Sequence, residues 1–102
     1  MVTIDATGFQ WDNGNLVKCQ QHGVTIETIE AVFSSGVIVL PDAGHSQDEP
    51  RYRAIGKTET GKMLFVVYTL RQRGMATLIR PISARYMHQK EVQSYEKEDS
   101  DV

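Results

Sequence analysis

Residues 51–83 contain three strand-like segments that are joined by connections of only three and four residues. The first connection, residues 59–61, ends in Gly61, and the second, residues 71–74, ends in Gly74. Connections this short join antiparallel neighbours, because a parallel crossover needs about a dozen residues or more. The sequence therefore predicts a meander of antiparallel strands over residues 51–58, 62–70 and 75–83.

The middle strand of this meander contains the sequence MLFVV at residues 63–67. These residues are apolar on both faces, so we predict that the strand is central and covered on each side. Pro81 lies in the last strand and has no N–H to donate, which predicts an edge strand or a bulge there. A further strand is predicted at residues 37–40, ended by Pro41, and residues 7–11 are compatible with another short strand.

Two helices are predicted before the meander. Residues 13–22 follow a potential N-cap, Asp12, and precede Gly23, as a short helix would. Residues 25–35 have Thr25 as an N-cap and apolar residues at helical spacing, which are Ile26, Ile29, Val32 and Phe33.

The chain closes with a predicted helix that begins at residue 83 or 84 and reaches residue 96. Residues 97–102, with the sequence KEDSDV, are predicted to be a frayed acidic tail. The 102 residues give room for one domain with one core. The predicted fold is therefore a single α+β domain: an antiparallel sheet of about four strands, two N-terminal helices packed on it and a C-terminal helix.

Composition and sequence also constrain the location of the protein. No run of residues approaches the roughly 18 apolar residues that a membrane-spanning helix needs. The N-terminal sequence MVTIDATGFQWD lacks the apolar region of a secretory signal. Cys19 is the single cysteine, so it cannot form an internal disulfide. We expect a cytoplasmic protein without a membrane partner.

Charge is unevenly distributed along the chain, although the net charge is only −2. Residues 1–50 carry one basic and seven acidic residues, and residues 91–102 carry one basic and five acidic residues. Residues 51–90 carry nine basic residues and one acidic residue. A basic middle between acidic ends can form a positive surface that the net charge conceals.

Five arginines of this basic region are the main functional candidates. Arg51 and Arg53 are two residues apart in a predicted strand, so their side chains point the same way. Arg80 and Arg85 bracket the last strand and the predicted start of a helix, where phosphate is attracted. Arg71 lies in the turn before that strand. The alternative is that these arginines only solvate the outer face of the sheet.

Histidines and glutamates supply candidates for proton transfer. His22 precedes Gly23, where it is either a general acid–base group or a cation that caps a helix. Glu49 and Glu91 are potential general bases or ordinary solvated carboxylates. Three histidines and one cysteine without zinc spacing predict no metal site, and no glycine-rich phosphate loop is present, so no cofactor is predicted.

Several motifs together resemble the BrnT family of toxins. They are FQWD at 9–12, HGV at 22–24, IETIEAVF at 26–33, RYRAIG at 51–56, LFVVYTLR at 64–71 and IRPISARYMHQKEVQSYE at 79–96. The resemblance covers residues 9–96 in the family's order. The segment from Ile82 to Arg85, followed by Glu91 and the pair at 95–96, is its most specific part.

The resemblance implies a RelE-like fold and a bacterial type II toxin that cleaves RNA without a metal. It implies attack of an RNA 2′-hydroxyl on the adjacent phosphate. The residues implied in catalysis are His22, Glu49, Arg51, Arg80 and Arg85, and those implied in RNA binding are Lys18, Arg53, Arg71 and Arg73. The implied partners are RNA and a small DNA-binding antitoxin, through which the pair binds its own operator DNA.

A second hypothesis keeps the fold and the antitoxin-like partner but not the cleavage of RNA. It is motivated by Gln21, which stands where many family members have a lysine before the HG pair, and by the acidic net charge. Arginines clustered in one concavity beside His22 or Glu49 favour the enzyme. Scattered arginines and a broad apolar patch favour the binding module.

Overall fold

A computed structural model describes residues 1–42, 44 and 49–100, with side chains described as far as residue 94. Its elements in chain order are β1 (Gly8–Phe9), α1 (Leu16–Gln20), α2 (Ile26–Ser35), β2 (Ile38–Pro41), β3 (Tyr52–Lys57), β4 (Met63–Arg73), β5 (Ala76–Tyr86) and α3 (Gln89–Ser100). The predicted α+β class is confirmed. None of the helices in the described part of the chain has the length and apolar character needed to cross a membrane.

The five strands form one sheet in the order β1-β5-β4-β3-β2, with β4 in the centre as predicted. The β2–β3, β3–β4 and β4–β5 pairs are antiparallel. The prediction of about four antiparallel strands is wrong in one respect, because β1 adds a fifth strand parallel to β5. Its two residues pair with Leu78 and Ile79, about 70 positions later in the chain, so no local turn signal could reveal the pairing.

Helices α1 and α2 pack on one face of the sheet, which we call the helix face. Helix α2 begins as predicted, because the Thr25 hydroxyl accepts a hydrogen bond from the Thr28 N–H at 3.1 Å. Its residues Ile29, Val32 and Phe33 are buried. Phe33 packs edge-on against Tyr68 of β4, with ring centroids 5.2 Å apart, and likewise against Phe9 of β1.

The segment before α1 is fastened to the sheet by the buried side chain of Asn15. Its Nδ2 donates to the carbonyl oxygens of Gln10 (3.0 Å) and Pro81 (2.8 Å), and its Oδ1 accepts from the Asp12 N–H. Helix α1 spans only Leu16–Gln20, so the predicted bounds of 13–22 are too wide. Asp12 nevertheless caps the turn before the helix as predicted, because its Oδ1 accepts from the Gly14 N–H at 2.8 Å and its carbonyl accepts from the Leu16 N–H at 2.9 Å.

Strand β5 is bulged beside Pro81, which was one of the two alternatives that the sequence predicted. The register shifts so that Val67 pairs with Ser83 while Tyr68 pairs with Pro81. The other alternative, an edge strand, is wrong because β5 lies between β1 and β4.

The last strand continues three residues further than predicted, and the last helix begins correspondingly later. Ala84 is buried opposite Val66, and Arg85 pairs with Phe65, so both belong to β5 rather than to a helix. Packing against β4 outweighs the helical spacing of the apolar residues, so this segment forms a strand. Helix α3 begins at Gln89 and includes residues 97–100, which the prediction placed in a frayed tail; residues 101 and 102 lie outside the described residues.

The central strand β4 is apolar on both faces but is covered by helices on one. Leu64, Val66 and Tyr68 are buried on the helix face. Phe65 and Val67 alternate with them and are half-buried on the opposite face. Helices α1 and α2 cover the first of these faces. The other face is covered in part, because Ile55 is fully buried there beside Phe65, so the predicted cover on each side is confirmed only in part.

Replacing Asn15 with alanine is expected to destabilise the fold. The substitution leaves the buried Pro81 carbonyl without its donor, and an unsatisfied buried polar group costs about 1–3 kcal/mol. Chemical denaturation measures the loss in the free energy of unfolding. Asn13→Ala is the matched control, because Asn13 is exposed, and its effect should stay within about 0.5 kcal/mol. Equal effects of the two substitutions would show that Asn15 does not fasten this segment.

Candidate functional site

The sheet face opposite α1 and α2 collects arginines from three strands and their ends. Residues that pair across an antiparallel ladder share a face, and side chains along a strand alternate. Arg53 pairs with Val67, Arg85 with Phe65, and Arg80 with Thr69, all opposite the helix face. We call this surface the arginine face; its arginines are Arg51, Arg53, Arg71, Arg73, Arg80 and Arg85.

Arg51 precedes β3, but the strand pairing continues to it. The Asp42 N–H donates to the Arg51 carbonyl at 3.0 Å, directly beyond the pairing of Pro41 with Tyr52. This extension places Arg51 on the same face as Arg53, as the sequence predicted.

Arg85 is held in the most defined geometry of the face. Its guanidinium carbon lies 4.6 Å from the ring centroid of Phe65, the residue opposite it on β4. Its Nη1 and Nη2 donate to Oε1 and Oε2 of Glu91 at 2.8 and 2.9 Å. This bidentate contact, with a smaller contribution from the His88 N–H, lowers the pKa of Glu91 from 4.5 to about 2. The Arg85 side chain remains 39% exposed.

Arg80 is more deeply placed and ties β5 to the segment before α1. Its Nη1 and Nη2 donate to the Asp12 carboxylate at 2.8 and 3.1 Å, and Nη1 also contacts Oε1 of Gln10 at 3.3 Å. The side chain is only 15% exposed. The hydrogen bonds from Arg80, and then from the Gly14 N–H, lower the pKa of Asp12. Arg80 therefore supports the structure as well as contributing charge.

Arg71 and Arg53 form the middle of the face. The Nη2 of Arg71 donates to Oε1 of Glu49 at 3.1 Å, and the Nη2 of Arg53 donates to the Pro41 carbonyl at 3.1 Å. The Nε atoms of both arginines are buried and have no hydrogen-bond partner among the described residues. A buried N–H without a partner gains free energy from any acceptor that reaches it, such as a phosphate oxygen.

An apolar surface lies beneath these charges. Ile55 is fully buried and is paired with Phe65, so it shares the arginine face. Phe65 and Val67 extend this surface along β4. A low-dielectric base strengthens the attraction between the guanidinium groups and a bound anion.

Of the residues predicted for the site, the arginine face unites Glu49 with all six arginines. Glu49 reaches the face through Arg71, and the neighbouring Pro50 carbonyl accepts a hydrogen bond from Thr69 at 2.7 Å. Lys18 and His22 are not brought to it by any hydrogen bond or ion pair of the described residues. Both are exposed, Lys18 on α1 and His22 in the turn between α1 and α2.

Three residues of the site were missed, or were given another role, by reasoning from the sequence. Asp12 was interpreted as a helix cap, Glu91 as a potential base, and Phe65 as core. Asp12 pairs with Arg80 in addition to capping the Gly14 N–H, Glu91 pairs with Arg85, and Phe65 stacks on Arg85. The spacing of six residues between Arg85 and Glu91 gave no signal, because it depends on where the strand ends and the helix begins.

The other nucleophilic and metal-binding candidates lie apart from this chemistry. Burial raises the pKa of the Cys19 thiol to about 11, so it remains protonated and packs as a small apolar side chain. In the part of the chain that the structure describes, no three His, Cys, Asp or Glu residues are grouped as a metal would require.

Comparison with known families agrees with this arrangement. The family model described as the ribonuclease toxin BrnT of type II toxin–antitoxin systems matches residues 11–91. The chain belongs to the BrnT family. Comparison with curated proteins finds no match. Membership indicates a ribonuclease toxin with RNA as its target and an antitoxin as its partner.

The geometry explains one conspicuous motif of this BrnT chain, FQWD at residues 9–12. Phe9 packs on Phe33, and the Trp11 Nε1 donates to Oε2 of Glu30 on α2 at 2.9 Å. Gln10 and Asp12 both contact Arg80 on the other side. Alternate residues of the motif therefore join the helix layer to the arginine face.

Replacing Arg80 with alanine is expected to lower stability, because its side chain is largely buried and joins β5 to the segment before α1. The loss should exceed the roughly 0.5 kcal/mol of ordinary surface substitutions. Chemical denaturation of Arg80→Ala measures this loss in the free energy of unfolding. Arg73→Ala is the control, because Arg73 is an exposed residue of the same face.

The loss of stability in Arg80→Ala is expected to depend on pH. The pKa of Asp12 is lowered in the folded chain, so the pair stabilises above the ordinary value of 3.8 and this contribution disappears as pH falls through the lowered pKa. The stability difference between wild type and Arg80→Ala should therefore narrow in acid. A difference that is absent at neutral pH, or that widens in acid, would contradict the structural role of the pair.

Proposed function

We propose that this BrnT chain cleaves RNA on the arginine face, without a metal, by attack of a 2′-hydroxyl on the adjacent phosphate. The observation that carries the proposal is the convergence of six arginines on the sheet face that α1 and α2 leave uncovered. The membership of the chain in a family of ribonuclease toxins supports it independently.

The chemistry requires positive charge where negative charge develops. The 2′-oxygen forms a bond to phosphorus while the bond from phosphorus to the 5′-oxygen breaks. The 2′-hydroxyl loses its proton to a base, the 5′-oxygen gains one, and the products carry a 2′,3′-cyclic phosphate and a 5′-hydroxyl. Preorganised donors on the apolar surface of the arginine face would stabilise the crowded phosphate oxygens of the transition state.

Arg85 is the best candidate for the principal phosphate contact. It is 39% exposed, whereas Arg80 is 15% exposed and ties Gln10 and Asp12 to β5. Arg71 and Arg53 follow, because each presents a buried Nε without a described partner. Arg51 and Arg73, at the ends of their strands, would bind neighbouring phosphates of the RNA.

Glu49 is the better candidate for the base. Its carboxylate lies on the arginine face at 3.1 Å from Nη2 of Arg71, so a phosphate bound to that arginine would have a carboxylate beside it. His22 projects from the turn that follows α1, a helix that packs on β5 and α2. We therefore propose that Glu49 transfers the proton, with His22 as the alternative base, and that Lys18 is a further RNA contact.

The antitoxin partner follows from membership in the family, and its chemistry remains a proposal. We propose a small DNA-binding protein that neutralises the toxin and through which the pair binds operator DNA. A non-catalytic binding module is the second candidate function. It is favoured by the carboxylates that already pair with Arg71, Arg80 and Arg85 in the described chain.

Replacing Arg85 with alanine should reduce RNA cleavage by about 10²–10³. The thermal midpoint should change little, because the side chains of Arg85 and Glu91 are both partly exposed. Arg85→Lys should restore only part of the activity, since an ammonium group lacks the planar fork. The measurement is cleavage of a labelled RNA, in EDTA, beside a thermal melt of each variant.

The same assay separates the two candidate functions. Full cleavage by wild type in EDTA and its loss in Arg85→Ala are the expected results. If wild type without its antitoxin leaves RNA intact with and without added divalent cations, the binding module is correct. If cleavage appears only when a divalent cation is added, the metal-free mechanism is wrong.

Glu49→Gln and His22→Ala distinguish the two candidates for proton transfer. Glu49→Gln retains size and a hydrogen-bond acceptor but cannot take up the proton, and removing a general base costs about 10²–10⁴ in rate. His22→Ala should leave the single-turnover rate nearly unchanged. The pH profile of the rate, measured for both variants, is the readout. A large rate loss in His22→Ala with little loss in Glu49→Gln would identify His22 as the base instead.

A further inference from the structure

Glu91 contacts Arg85 with both carboxylate oxygens and also contacts the backbone of its own helix. The His88 N–H donates to Oε1 of Glu91 at 3.0 Å, three residues before it. This is the backward contact of a capping box, in which the third residue of a helix satisfies the N–H of the N-cap residue. One carboxylate thus begins α3 and holds the guanidinium on the arginine face.

The guanidinium of Arg85 is restrained from two directions. The ring of Phe65 lies 4.6 Å from its central carbon, and the Glu91 carboxylate is bonded to its two terminal nitrogens. An arginine side chain on a strand would otherwise sample many rotamers, and ordering it on binding RNA has an entropic cost. The contacts with Phe65 and Glu91 order the Arg85 side chain before any RNA binds.

Glu91 is poorly suited to act as the base itself. Its oxygens already accept from Arg85, and Oε1 accepts from His88 as well. These contacts hold its pKa near 2, so the carboxylate has little tendency to take up a proton near neutral pH.

We infer that Glu91 is a positioning residue for Arg85, fixing the guanidinium for the reacting phosphate. This inference rests on the proposed function, since it assigns Glu91 a role in that reaction. The rival role, a carboxylate that merely competes with RNA for Arg85, fits the contacts less well. Glu91 is bound to the α3 backbone as well as to Arg85, so it could not leave without uncapping the helix.

Glu91→Gln separates the two contacts of the carboxylate. The amide oxygen can still accept from the His88 N–H, whereas the NH₂ group cannot accept from Arg85. The cap of α3 is therefore retained while the bidentate contact is lost. Amide hydrogen exchange of α3 checks that the helix is still formed. Glu59→Gln is the matched control, since it removes one carboxylate at an exposed site in the β3–β4 connection.

The decisive experiment is a double-mutant cycle on cleavage of a labelled RNA, with wild type, Glu91→Gln, Arg85→Ala and the double variant. A misplaced catalytic group can cost up to about 10²-fold in rate, so Glu91→Gln should lower kcat by about 10- to 100-fold with little change in KM. In the Arg85→Ala background the same substitution should have no further effect. Glu91→Asp should recover part of the rate, and Glu59→Gln should match wild type.

Each other outcome has a distinct meaning. Tighter RNA binding or faster cleavage by Glu91→Gln would show that Glu91 competes with phosphate, which overturns the inference. Equal rate losses in the wild-type and Arg85→Ala backgrounds would show that Glu91 acts independently of Arg85, which also overturns it. Wild type that does not cleave RNA overturns the proposed function and this inference with it, whereas the first two outcomes leave the proposed function standing.

Discussion

Val32 of α2 packs directly on the backbone of Gly56, and this close approach determines which sheet face α2 covers. A Cβ at position 56 would lie 2.4 Å from Cγ1 of Val32 and 3.1 Å from Cγ1 of Val37. Only a glycine allows the helix to sit this low over β3. With α2 packed here and α1 against β5 and α2, these two helices occupy one face of the sheet. The arginines of β3, β4 and β5 are left on the other.

Three of the six arginines on the arginine face are paired with carboxylates of the described residues before any ligand arrives. Arg71, Arg80 and Arg85 are paired with Glu49, Asp12 and Glu91 respectively. This pairing reconciles an RNA target with a chain whose net charge is −2. An anion on this face meets guanidinium groups that the carboxylates already hold in place, so geometry rather than total charge decides what binds. The three pairs also differ in exposure, with Arg80 the most buried and thus the least accessible to a ligand.

Much of the fold was predictable because its signals are local. The short connections gave the antiparallel meander, Thr25 gave the start of α2, and Pro81 gave the bulge in β5. The features that were missed depend on contacts between distant segments. The parallel pairing of β1 with β5 joins residues 70 positions apart, and the hydrogen bond from Asn15 to the Pro81 carbonyl joins residues 66 positions apart. The end of β5 was misplaced because the burial of Ala84 against the helix face overrides its helical spacing.

The arginines of the candidate site were predictable from the sequence, but their ion-pair partners were not. Alternation correctly placed Arg51 and Arg53 on one face. Arg71, Arg80 and Arg85 were also identified as candidates from the basic central region, and the resemblance added Arg73. The carboxylates that hold them could not be assigned, because Asp12 and Glu91 reach their partners from outside the central meander. His22 precedes a helix-ending glycine in the sequence, yet the packing of α1 leaves it without a described contact to the arginine face.

The most direct test of the central claim is to locate bound RNA by NMR. The labelled chain would be titrated with an RNA analogue that lacks 2′-hydroxyls and therefore cannot be cleaved by the proposed route. The account predicts that adding the analogue changes the chemical shifts of the side-chain Nε–H groups of Arg53, Arg71 and Arg85. The chemical shift of the Phe65 backbone amide should change as well. The amides of α2, on the opposite side of the sheet, should remain unchanged. Shifts confined to α2, with the arginine resonances unmoved, would contradict it.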